Sequence, residues 1–403
     1  MSVAVRWLSI IGIGEDGLDG LSPAARALIE QASLVVGGRR HLALAASATR
    51  GETLTWPAPP QAAFPAILDR RGTPVCVVAT GDPFFYGIGS LLAREVPSEQ
   101  MICLPGASAF GLAASRLGWA VQDCALVSLH GRTLERVVPH LQPHARILAL
   151  SWDQATPRQL AQLLTRRGLG DTLIMVCEAL GGPRERVRSD RADQFALEQI
   201  DPLNLVALEL DSGAADRIVP LGPGLPDSWF EHDGQLTKQD IRAVTLAALA
   251  PRRGEMLWDI GAGSGSVGIE WMLTNAANRA VAIERDPVRA GRIARNAAAL
   301  GVPDLSIVAG SAPEALHDLP RPDAVFVGGG ANACIDAAWG ALPSFGRMVA
   351  NGITIETQAE LIRRFKAIGG SLKTIQIAHA NQIGGFNAMR PAMAVTQWAA
   401  TKP

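Results

Sequence analysis

A glycine-rich segment at residues 257–271, L-W-D-I-G-A-G-S-G-S-V-G-I-E-W, has the residue types that bind a nucleoside. An apolar run ends at Asp259, glycines alternate from Gly261 to Gly265, and a helical pattern begins at once. Glycine tolerates left-handed backbone and lets a ligand touch the main chain, and the free N–H groups of a helix start suit a polar ligand. We therefore predict a nucleoside-binding turn, against the alternative of a glycine turn that binds nothing.

The two strands predicted after this turn help to identify the nucleoside. Glu284 ends the first of them, about 20 residues beyond the glycines, where an acid can bind ribose hydroxyls. A register-shifted G-x-G-x-x-G also fits the turn, so spacing alone leaves NAD and other nucleosides open. The second strand ends in the small polar turn Ser311-Ala312. This order of D-x-G-x-G-x-G, acid and small turn resembles the class I S-adenosylmethionine (SAM) methyltransferases.

The resemblance implies that the acid before the glycines lies near the amino-acid end of SAM and that the second acid binds its ribose. The glycines would pass beneath SAM, and the small turn would meet its adenine. The SAM-binding residues are then Asp259, Gly261, Ala262, Gly263, Ser264, Gly265, Glu284, Ser311 and Ala312. The fourth strand leads into D-A-V-F-V-G-G-G at residues 323–330, without the Pro-Pro-aromatic clamp used on base amines. A bulky acceptor is therefore expected.

A second glycine motif, L-S-I-I-G-I-G-E-D-G at residues 8–17, also contains G-x-G-x-x-G. A dinucleotide loop needs its helix to begin at the third glycine, yet the next helix start, Ser22-Pro23, comes later. The following strand leads to Gly37 and Arg39 where an acid should stand. We therefore predict that this loop does not bind NAD.

Four motifs in order explain the first loop better: G-I-G-E-D-G, then A-T-G-D-P-F-F-Y-G, L-P-G-A-S-A-F-G and S-L-H-G-R. Together they resemble the tetrapyrrole (class III) methyltransferases, which are two-lobed α/β proteins that bind SAM between their lobes. The resemblance implies that Gly12 and Gly14 face the acceptor. The residues that approach SAM are then Gly81, Asp82, Pro83, Ser108 and Ala109.

Strand-like and helical stretches alternate through both halves of the chain, which predicts two α/β domains. Turn residues without any period at residues 211–227 mark the linker, so we expect domains at 1–210 and 211–403. The fold class is α/β, with a two-lobed tetrapyrrole-methylase domain followed by a doubly wound Rossmann-like class I domain. The predicted strands of the second domain include 280–284, 305–309, 323–327, 348–355 and 374–379.

Both modules in one chain, with G-L-P-D-S-W-F-E-H-D-G-Q-L-T-K-Q-D at residues 224–240, resemble the decarboxylating precorrin methyltransferases of aerobic cobalamin biosynthesis. That family methylates carbons 5 and 15 and removes the ring C acetate carboxyl as carbon dioxide. The resemblance implies one SAM per domain, an anionic precorrin-6Y-like tetrapyrrole as substrate, and a homo-oligomer. It also implies that Thr237 reaches SAM, and that Lys238 and the Glu231-His232-Asp233 cluster border the acceptor site.

Further candidates lie beside glycine-rich turns. Guanidinium groups suit the carboxylates of the substrate, and the candidates are Arg39, Arg40, Arg132 and Arg390, each equally compatible with a solvated surface position. His130 and Asp82 could move a proton, or could be structural. Tyr86, the only tyrosine, is expected in the core or the cleft wall.

Composition narrows the class of protein. With 403 residues and a net charge of −1, the chain has no basic stripe for nucleic acid, no apolar run that could span a membrane, and no Cys/His spacing for a metal. The five scattered cysteines are expected to be buried free thiols in a cytoplasmic protein. The alternatives are an NAD-dependent two-domain oxidoreductase and a non-catalytic protein that binds SAM or a tetrapyrrole.

Overall fold

The computed structural model describes residues 6–211, 218–328 and 334–403. The chain folds into two compact units. Unit 1 comprises Met1–Leu134 and Gln142–Arg217, and unit 2 comprises Glu135–Leu141 and Ile218–Pro403. Each unit has its own sheets and hydrophobic core.

Unit 1 begins with a five-stranded parallel sheet, whose order is β3-β2-β4-β1-β5. Its strands are β1 (Leu8–Ile13), β2 (Leu34–Gly37), β3 (Glu52–Thr55), β4 (Val75–Thr80) and β5 (Met101–Leu104), with helices α1 (Pro23–Glu30), α2 (Arg39–Leu44), α3 (Phe64–Leu68) and α4 (Gly89–Leu92). The side chains of β1 are buried on both faces, because helices and loops cover both sides of a parallel sheet. The carboxyl ends of β1, β4 and β5 therefore meet at one edge.

The second sheet of unit 1 is mixed, in the order β6-β7-β10-β8-β9. It contains β6 (Cys124–Ser128), β7 (Arg146–Leu150), β8 (Leu173–Glu178), β9 (Arg186–Arg191) and β10 (Asn204–Glu209), with helices α5 (Ala109–Leu117) and α6 (Thr156–Arg166). Only β6 and β7 pair in parallel, so their carboxyl ends are neighbours.

Unit 2 contains a seven-stranded sheet in the order β13-β12-β11-β14-β15-β19-β16. The strands are β11 (Met256–Ile260), β12 (Arg279–Glu284), β13 (Ser306–Ala309), β14 (Ala324–Val327), β15 (Arg347–Gly352), β16 (Ser371–Ile375) and β19 (Val395–Thr401). The helices are α7 (Gln239–Leu249), α8 (Ser266–Leu273), α9 (Pro287–Ala299), α10 (Ile335–Ala341) and α11 (Ile355–Ile368). The strand order reverses at β11, where open α/β sheets bind ligands.

The predicted fold class is confirmed for both halves of the chain. The prediction of one strand at residues 374–379 is wrong, because β16 ends at Ile375 and a separate exposed hairpin follows, β17 (Ala378–Ile383) and β18 (Phe386–Pro391). A strand as far as residue 355 is also wrong, since Thr354 caps α11 with its side chain. No helix in the described ranges is both long and apolar enough to cross a membrane.

All five cysteines are free thiols, as predicted, but only three of them are buried. Cys76, Cys177 and Cys334 lie in the core, whereas Cys103 and Cys124 are half-buried. Burial raises the pKa of Cys76 and of Cys177 to about 12, so these two thiols stay protonated and unreactive at neutral pH.

Candidate active site

The glycine turn of unit 2 joins the central strand β11 directly to helix α8. Gly261, Gly263 and Gly265 have φ values of 72°, 60° and 79°, in the left-handed region where a Cβ causes strain. A Cβ at Gly265 would also stand 2.6 Å from Ile293 of α9. The turn therefore requires glycine for its own backbone, and it places the start of α8 at the carboxyl end of β11.

Asp259 lies immediately before this turn and is only 1% exposed. Its Oδ2 accepts a hydrogen bond of 2.9 Å from the backbone N–H of Gly268 in α8. Its Oδ1 has no partner among the residues that the structure describes. Burial, together with the nearby carboxylate of Glu284, raises the pKa of Asp259 to about 7.

Glu284 ends β12 and flanks the turn from the other side, at 5% exposure. Its carboxylate accepts hydrogen bonds from the backbone N–H groups of Gly263, at 2.9 Å, and Asp286, at 3.0 Å. Each carboxylate oxygen can accept a second bond, so the capacity for a ribose hydroxyl remains. The structure thus gives Glu284 a function that the sequence did not reveal, which is to hold the glycine turn in place.

Two buried polar atoms at the turn have hydrogen-bonding capacity that the described protein residues leave unused. They are Asp259 Oδ1 and the hydroxyl of Ser264, and neither has a protein partner within the described part of the chain. Buried polar groups are normally satisfied, so such a pair indicates that a bound molecule or water completes the site. An acid with an open oxygen suits a cationic ligand, and SAM carries both an ammonium and a sulfonium.

A segment at residues 224–238 lies against the glycine turn. The carbonyl oxygen of Gln235 would be 2.8 Å from a Cβ at Gly263, so the two backbones touch. Asn296 of α9 fixes this arrangement: its Nδ2 donates to the carbonyls of Ser264 (2.9 Å) and Glu231 (3.0 Å), and its Oδ1 accepts from Glu231 N at 2.8 Å. Thr237, predicted to reach SAM, belongs to this segment.

Arg242 anchors the same segment from α7, and sequence reasoning missed it. The side chain is completely buried, pairs with Glu270 and Asp227, and donates to the carbonyls of Leu225 and Thr237. Its guanidinium also lies 4.7 Å from the ring centre of Phe230. An arginine on the buried face of α7 was the only sequence signal for this role. Its partners could not be predicted, because they are distant in the sequence.

The predicted acceptor residues of unit 2 make ion pairs and a hydrogen bond within the protein. Glu231 pairs with Arg295 at 2.7 Å, and Asp233 pairs with Arg289 and Arg292, which hold the pKa of Asp233 well below its usual range. The Nδ1 of His232 accepts from the N–H of Gly234 at 3.0 Å. Lys238 lies 3.7 Å from Asp227 and is largely exposed.

The remaining predicted residues of unit 2 lie in two places. Ser311 and Ala312 follow β13 at the edge that also carries Glu284, and the neighbouring Gly310 donates to the Glu284 carbonyl at 3.1 Å. The glycines after β14 lie outside the described residues from Gly329 onwards. Arg390 is exposed on β18, opposite His379 of β17.

In unit 1, three glycine loops meet at the carboxyl edge of the parallel sheet. A Cβ at Gly12 would overlap both the Gly81 carbonyl and the Gly106 nitrogen, and Gly106 N donates to Gly81 O at 2.9 Å. Gly81, with φ of 52°, would place a Cβ 3.1 Å from the Cα of Ser108. The structure thus brings the first loop, the G-D-P loop and the Ser108 loop into direct contact.

The predicted SAM-binding residues of unit 1 stabilise this junction. Asp82 Oδ1 accepts from Phe84 N at 2.9 Å, which closes the turn around Pro83. Ser108 caps α5 by accepting from Gly111 N at 3.1 Å, and Ala109 is the first residue of that helix. Asp82 therefore stabilises the turn at Pro83, which was the structural alternative for this residue. Ser108 lies next to the G-D-P loop.

A polar cluster beside the first loop engages Arg40. Its guanidinium pairs with Glu15 and donates to the Thr80 hydroxyl at 2.8 Å. Burial and Arg40 lower the pKa of His41 to about 4, so this histidine is neutral at physiological pH. Arg39 is exposed, and Gly14 would place a Cβ 2.6 Å from the Asp16 carboxylate.

The S-L-H-G-R turn follows β6 and is exposed at its tip. The His130 ring stacks on Trp152 at 5.9 Å between ring centres, and Arg132 lies 5.6 Å from the ring centre of Tyr86. The expectation that Tyr86 packs in the core is wrong, because 48% of the residue is exposed. The other expectation, that Tyr86 lines a cleft wall, stays a prediction.

The fold and these two glycine sites define a protein with two methyltransferase modules of unrelated architecture. The family model described as tetrapyrrole (corrin/porphyrin) methylases matches residues 8–196, and the model described as a precorrin methyltransferase domain matches residues 228–402. A curated Sinorhizobium protein named precorrin-6Y C(5,15)-methyltransferase [decarboxylating] is 52% identical over 403 residues, covering 100% of this chain and 98% of its own. The chain therefore belongs to the family of decarboxylating precorrin-6Y C(5,15)-methyltransferases.

Two shorter relatives each align with less than half of the chain. A Salmonella typhimurium protein named cobalt-precorrin-7 C(5)-methyltransferase is 34% identical over 180 residues, covering 45% of this chain and 88% of its own. A Pyrobaculum calidifontis protein named "Probable cobalt-precorrin-6B C(15)-methyltransferase (decarboxylating)" is 34% identical over 189 residues, covering 44% of this chain and 96% of its own. An NAD-dependent oxidoreductase is not favoured by these relatives.

Proposed function

We propose that this protein uses SAM to methylate a precorrin macrocycle at carbons 5 and 15 and removes the ring C acetate carboxyl as carbon dioxide, in cobalamin biosynthesis. The observation that carries the proposal is the end-to-end similarity to a full-length relative with that name, through both modules. The two differently built glycine sites agree with it. The substrate is an anionic, precorrin-6Y-like tetrapyrrole.

We infer one SAM site in each unit. In unit 2 the site consists of the glycine turn, the acids Asp259 and Glu284, and Thr237, with Ser311 and Ala312 at the adenine end. In unit 1 it consists of Gly81 to Pro83 with Ser108 and Ala109. The support is the buried, unpartnered Asp259 Oδ1 and Ser264 hydroxyl in unit 2, and the contact between the Gly81 and Ser108 loops in unit 1.

When bound, SAM would supply a sulfonium methyl group to a nucleophilic ring carbon by in-line displacement, with the thioether as the leaving group. The leaving thioether is neutral, so the residues of the site mainly position the reactants, which is worth up to about 7–11 kcal/mol. The glycine turn holds the donor against the start of α8, and the segment at residues 224–238 restricts the space above the turn. Asp259 and Glu284 provide the negative charge that a sulfonium favours.

The proton balance differs between the two methylations. Substitution of a ring C–H by a methyl group releases one proton, whereas loss of carbon dioxide leaves an electron pair in the conjugated ring that takes up one proton. We infer that unit 2 couples the decarboxylation to methylation at carbon 15, and that unit 1 methylates carbon 5. The half-length relatives, each named for one of these reactions and each aligned with less than half of the chain, support a division of the two reactions between two modules, for which we propose residues 1–210 and 211–403.

Unit 1 must then release a proton, and Asp82 and His130 are the candidate acceptors. One oxygen of Asp82 accepts a backbone bond and the other is available, while the His130 ring is exposed. In unit 2, where the balance closes, His232 and Lys238 need only relay a proton. Substrate carboxylates would meet Arg39 and Arg132 in unit 1 and Arg390 in unit 2. Gly12 and Gly14 would shape the acceptor side of the first loop.

The test uses the full-length protein with the precorrin and isotopically labelled SAM, and mass spectrometry of the product. The expected product has gained two methyl groups and lost one carbon dioxide. Glu284→Ala should leave a singly methylated product that keeps its carboxyl, and Asp82→Ala should leave a singly methylated product that has lost it. The proposal fails if the unaltered protein makes no product, and the division fails if one variant abolishes both methylations.

The number of SAM sites, the oligomeric state and the location in the cell are further predictions of this proposal. Calorimetric titration with S-adenosylhomocysteine should give two equivalents per chain. Light scattering should find a dimer or a tetramer. A cytoplasmic location also stays a prediction.

A further inference from the structure

Helix α11 of unit 2 has regularly spaced residues on two opposite sides. The side that faces the sheet is buried, and its residues at i, i+4 and i+7 are Thr357, Leu361 and Arg364. Ile355, Ala359 and Ile362 have the same spacing, and all three are exposed. Each of them stands two positions before a buried residue, which is about 200° around the helix. We name Ile355, Ala359 and Ile362 the outer stripe.

The outer stripe turns apolar side chains to the outside of unit 2. Ile355 is 81% exposed and Ile362 is 42% exposed, and beside them Phe365 is 37% exposed. A helix at a protein surface normally presents polar residues on the side opposite the core. Single exposed apolar residues are ordinary, whereas apolar residues grouped on one face mark a surface that contacts another protein. The outer stripe therefore indicates an interface.

The helix that carries the outer stripe is held in place by contacts within unit 2. The Thr354 hydroxyl accepts a hydrogen bond of 3.2 Å from Thr357 N and so caps the start of α11. Arg364 pairs with Asp336 of α10 and, at 2.6 Å, with Glu360 on its own helix. Because α11 is already ordered, docking on the stripe costs little backbone entropy.

The outer stripe is separate from the donor site of unit 2. Asp259 and Glu284 lie at the carboxyl ends of β11 and β12, whereas the stripe points away from the sheet. α11 begins at this carboxyl edge and runs away from it, so Ile362 lies about 10 Å further along the helix axis than Ile355. The stripe can therefore be altered without changing the residues proposed to bind SAM.

The charges beside the outer stripe favour a second copy of this chain as the partner. Glu356 lies near the start of α11, and Arg363 and Lys366 lie near its end. Two antiparallel copies of α11 place the acid of each helix beside bases of the other, whereas a parallel pair places like charges together. Arg363 already pairs with Glu360 at 2.6 Å, but its side chain is 60% exposed and has further donors. A twofold axis requires a self-complementary surface of this kind.

We propose that the outer stripe packs antiparallel against the outer stripe of a second copy of this chain, across a twofold axis. Ile355, Ile362 and Phe365 supply the apolar contact, and Glu356 of each copy pairs with Arg363 of the other. The inference gives the predicted homo-oligomer a specific interface. It does not depend on the reaction assigned to either unit, because no residue of the stripe belongs to a proposed SAM or precorrin site.

The first test measures the mass of the full-length protein by light scattering over a range of concentrations, with the variants Ile362→Arg, Ala359→Arg and Leu221→Arg. A charge at a twofold interface is buried twice, so Ile362→Arg should raise the dissociation constant of the oligomer at least about 100-fold and halve its mass. Ala359→Arg should act in the same way. Leu221→Arg is the matched control, because Leu221 is 81% exposed, like Ile355, but lies outside α11. The proposal is overturned if the unaltered protein is a monomer, or if Ile362→Arg keeps its mass.

The second test exchanges charges and distinguishes the antiparallel pair from other arrangements. Glu356→Arg and Arg363→Glu should each raise the dissociation constant about 10-fold, because each brings like charges together twice in a symmetric pair. The double variant should return to within about threefold of the unaltered protein, and a double variant that does not recover overturns the antiparallel arrangement. Neither test uses methylation, so each result holds whether or not the unaltered protein makes the proposed product.

Discussion

The two glycine loops share one sequence pattern but differ in what the glycines do. After β1, Gly12 permits three loop backbones to touch, and the next α-helix begins only at Pro23. After β11, Gly261, Gly263 and Gly265 all adopt positive φ, and α8 begins at the next residue. An acid flanks the second turn on each side.

This difference shows that the G-x-G-x-x-G pattern indicates only that the backbone can form a tight turn or a close contact. A nucleoside site needs in addition a helix start at the turn and buried acceptors beside it, because these supply donors and charge for the ligand. After β1 the third glycine begins only a short 3-10 helix, Gly17–Gly20, and Gly12 is required by close packing against Gly81 and Gly106. Substitution of the residues that distinguish the two loops therefore tests this difference.

Substitution of Gly12 should have the largest effect. In Gly12→Ala the new methyl group meets backbone atoms of Gly81 and Gly106, which cannot move without opening the sheet edge. We expect a loss of at least about 4 kcal/mol in the unfolding free energy of unit 1, measured by urea denaturation. Methylation at carbon 5 should disappear.

Gly14→Ala is the matched control in the same loop. Its methyl group meets the Asp16 carboxylate, a side chain that can rotate away, so the loss should be below about 2 kcal/mol. Equal losses in the two variants would contradict the three-loop junction. If Gly12→Ala kept its decarboxylation activity, unit 2 would be shown to function independently of the three-loop junction in unit 1.

In unit 2, Glu284→Ala should empty the donor site without unfolding the sheet. The variant loses the acceptor of the Gly263 N–H and the proposed ribose partner. Bonds to a charged group are worth about 1.5–3 kcal/mol each, so the affinity for S-adenosylhomocysteine should fall about 100-fold. Calorimetry should then count one equivalent per chain instead of two.

Glu95→Ala, an exposed carboxylate of unit 1, should leave both equivalents in place. Retention of two equivalents by Glu284→Ala would refute the role of this acid, and loss of both would show that the two sites are not separate.

The sequence predicted the glycine turn, Asp259 and Glu284 because each follows from where a strand ends. The α/β class and the two modules were predictable for the same reason, since apolar runs and turn residues are local signals. Arg242 with Glu270, and Asn296 with Ser264, are pairs far apart in the chain, so no local pattern reveals them. The exposed hairpin at residues 378–391 was missed because nothing buries it, and burial is what periodicity reports.

Asn296 provides a smaller test of how the donor turn is held. Asn296→Ala removes three hydrogen bonds that join the glycine turn to the segment at residues 224–238. The net cost is on the order of 1–2 kcal/mol, so S-adenosylhomocysteine should bind the unit 2 site about 10-fold more weakly. Calorimetry on full-length protein measures this change.

Arg295→Ala is the comparison on the same helix. Arg295 holds the same segment through Glu231, but both side chains are more than half exposed, and such pairs are worth at most about 1 kcal/mol. The affinity should change by less than about threefold. A larger effect from Arg295 than from Asn296 would mean that charge, and not the buried amide, fixes the segment.

The pH dependence of binding gives the finest distinction between the two donor sites. In the ligand-free protein the pKa of Asp259 is raised from 3.8 to about 7, so below neutral pH this carboxyl is protonated. A cationic ligand favours the ionised form, and binding must then release a proton. Affinity at the unit 2 site should therefore fall by up to about tenfold per pH unit below pH 7 and level off above it.

The same pKa shift determines how the stability of the fold changes with pH. Because the folded pKa exceeds the unfolded one, the contribution of Asp259 to stability is present at low pH and is lost as the pH rises through about 7. Asp259→Asn cannot ionise, so it should remove both the slope of affinity and this loss of stability. Titrations with SAM in buffers of different ionisation enthalpy measure the released proton directly. The unit 1 site has no fully buried acid among its predicted SAM-binding residues. If Asp259→Asn still released a proton on binding SAM, the titrating group would be a residue other than Asp259.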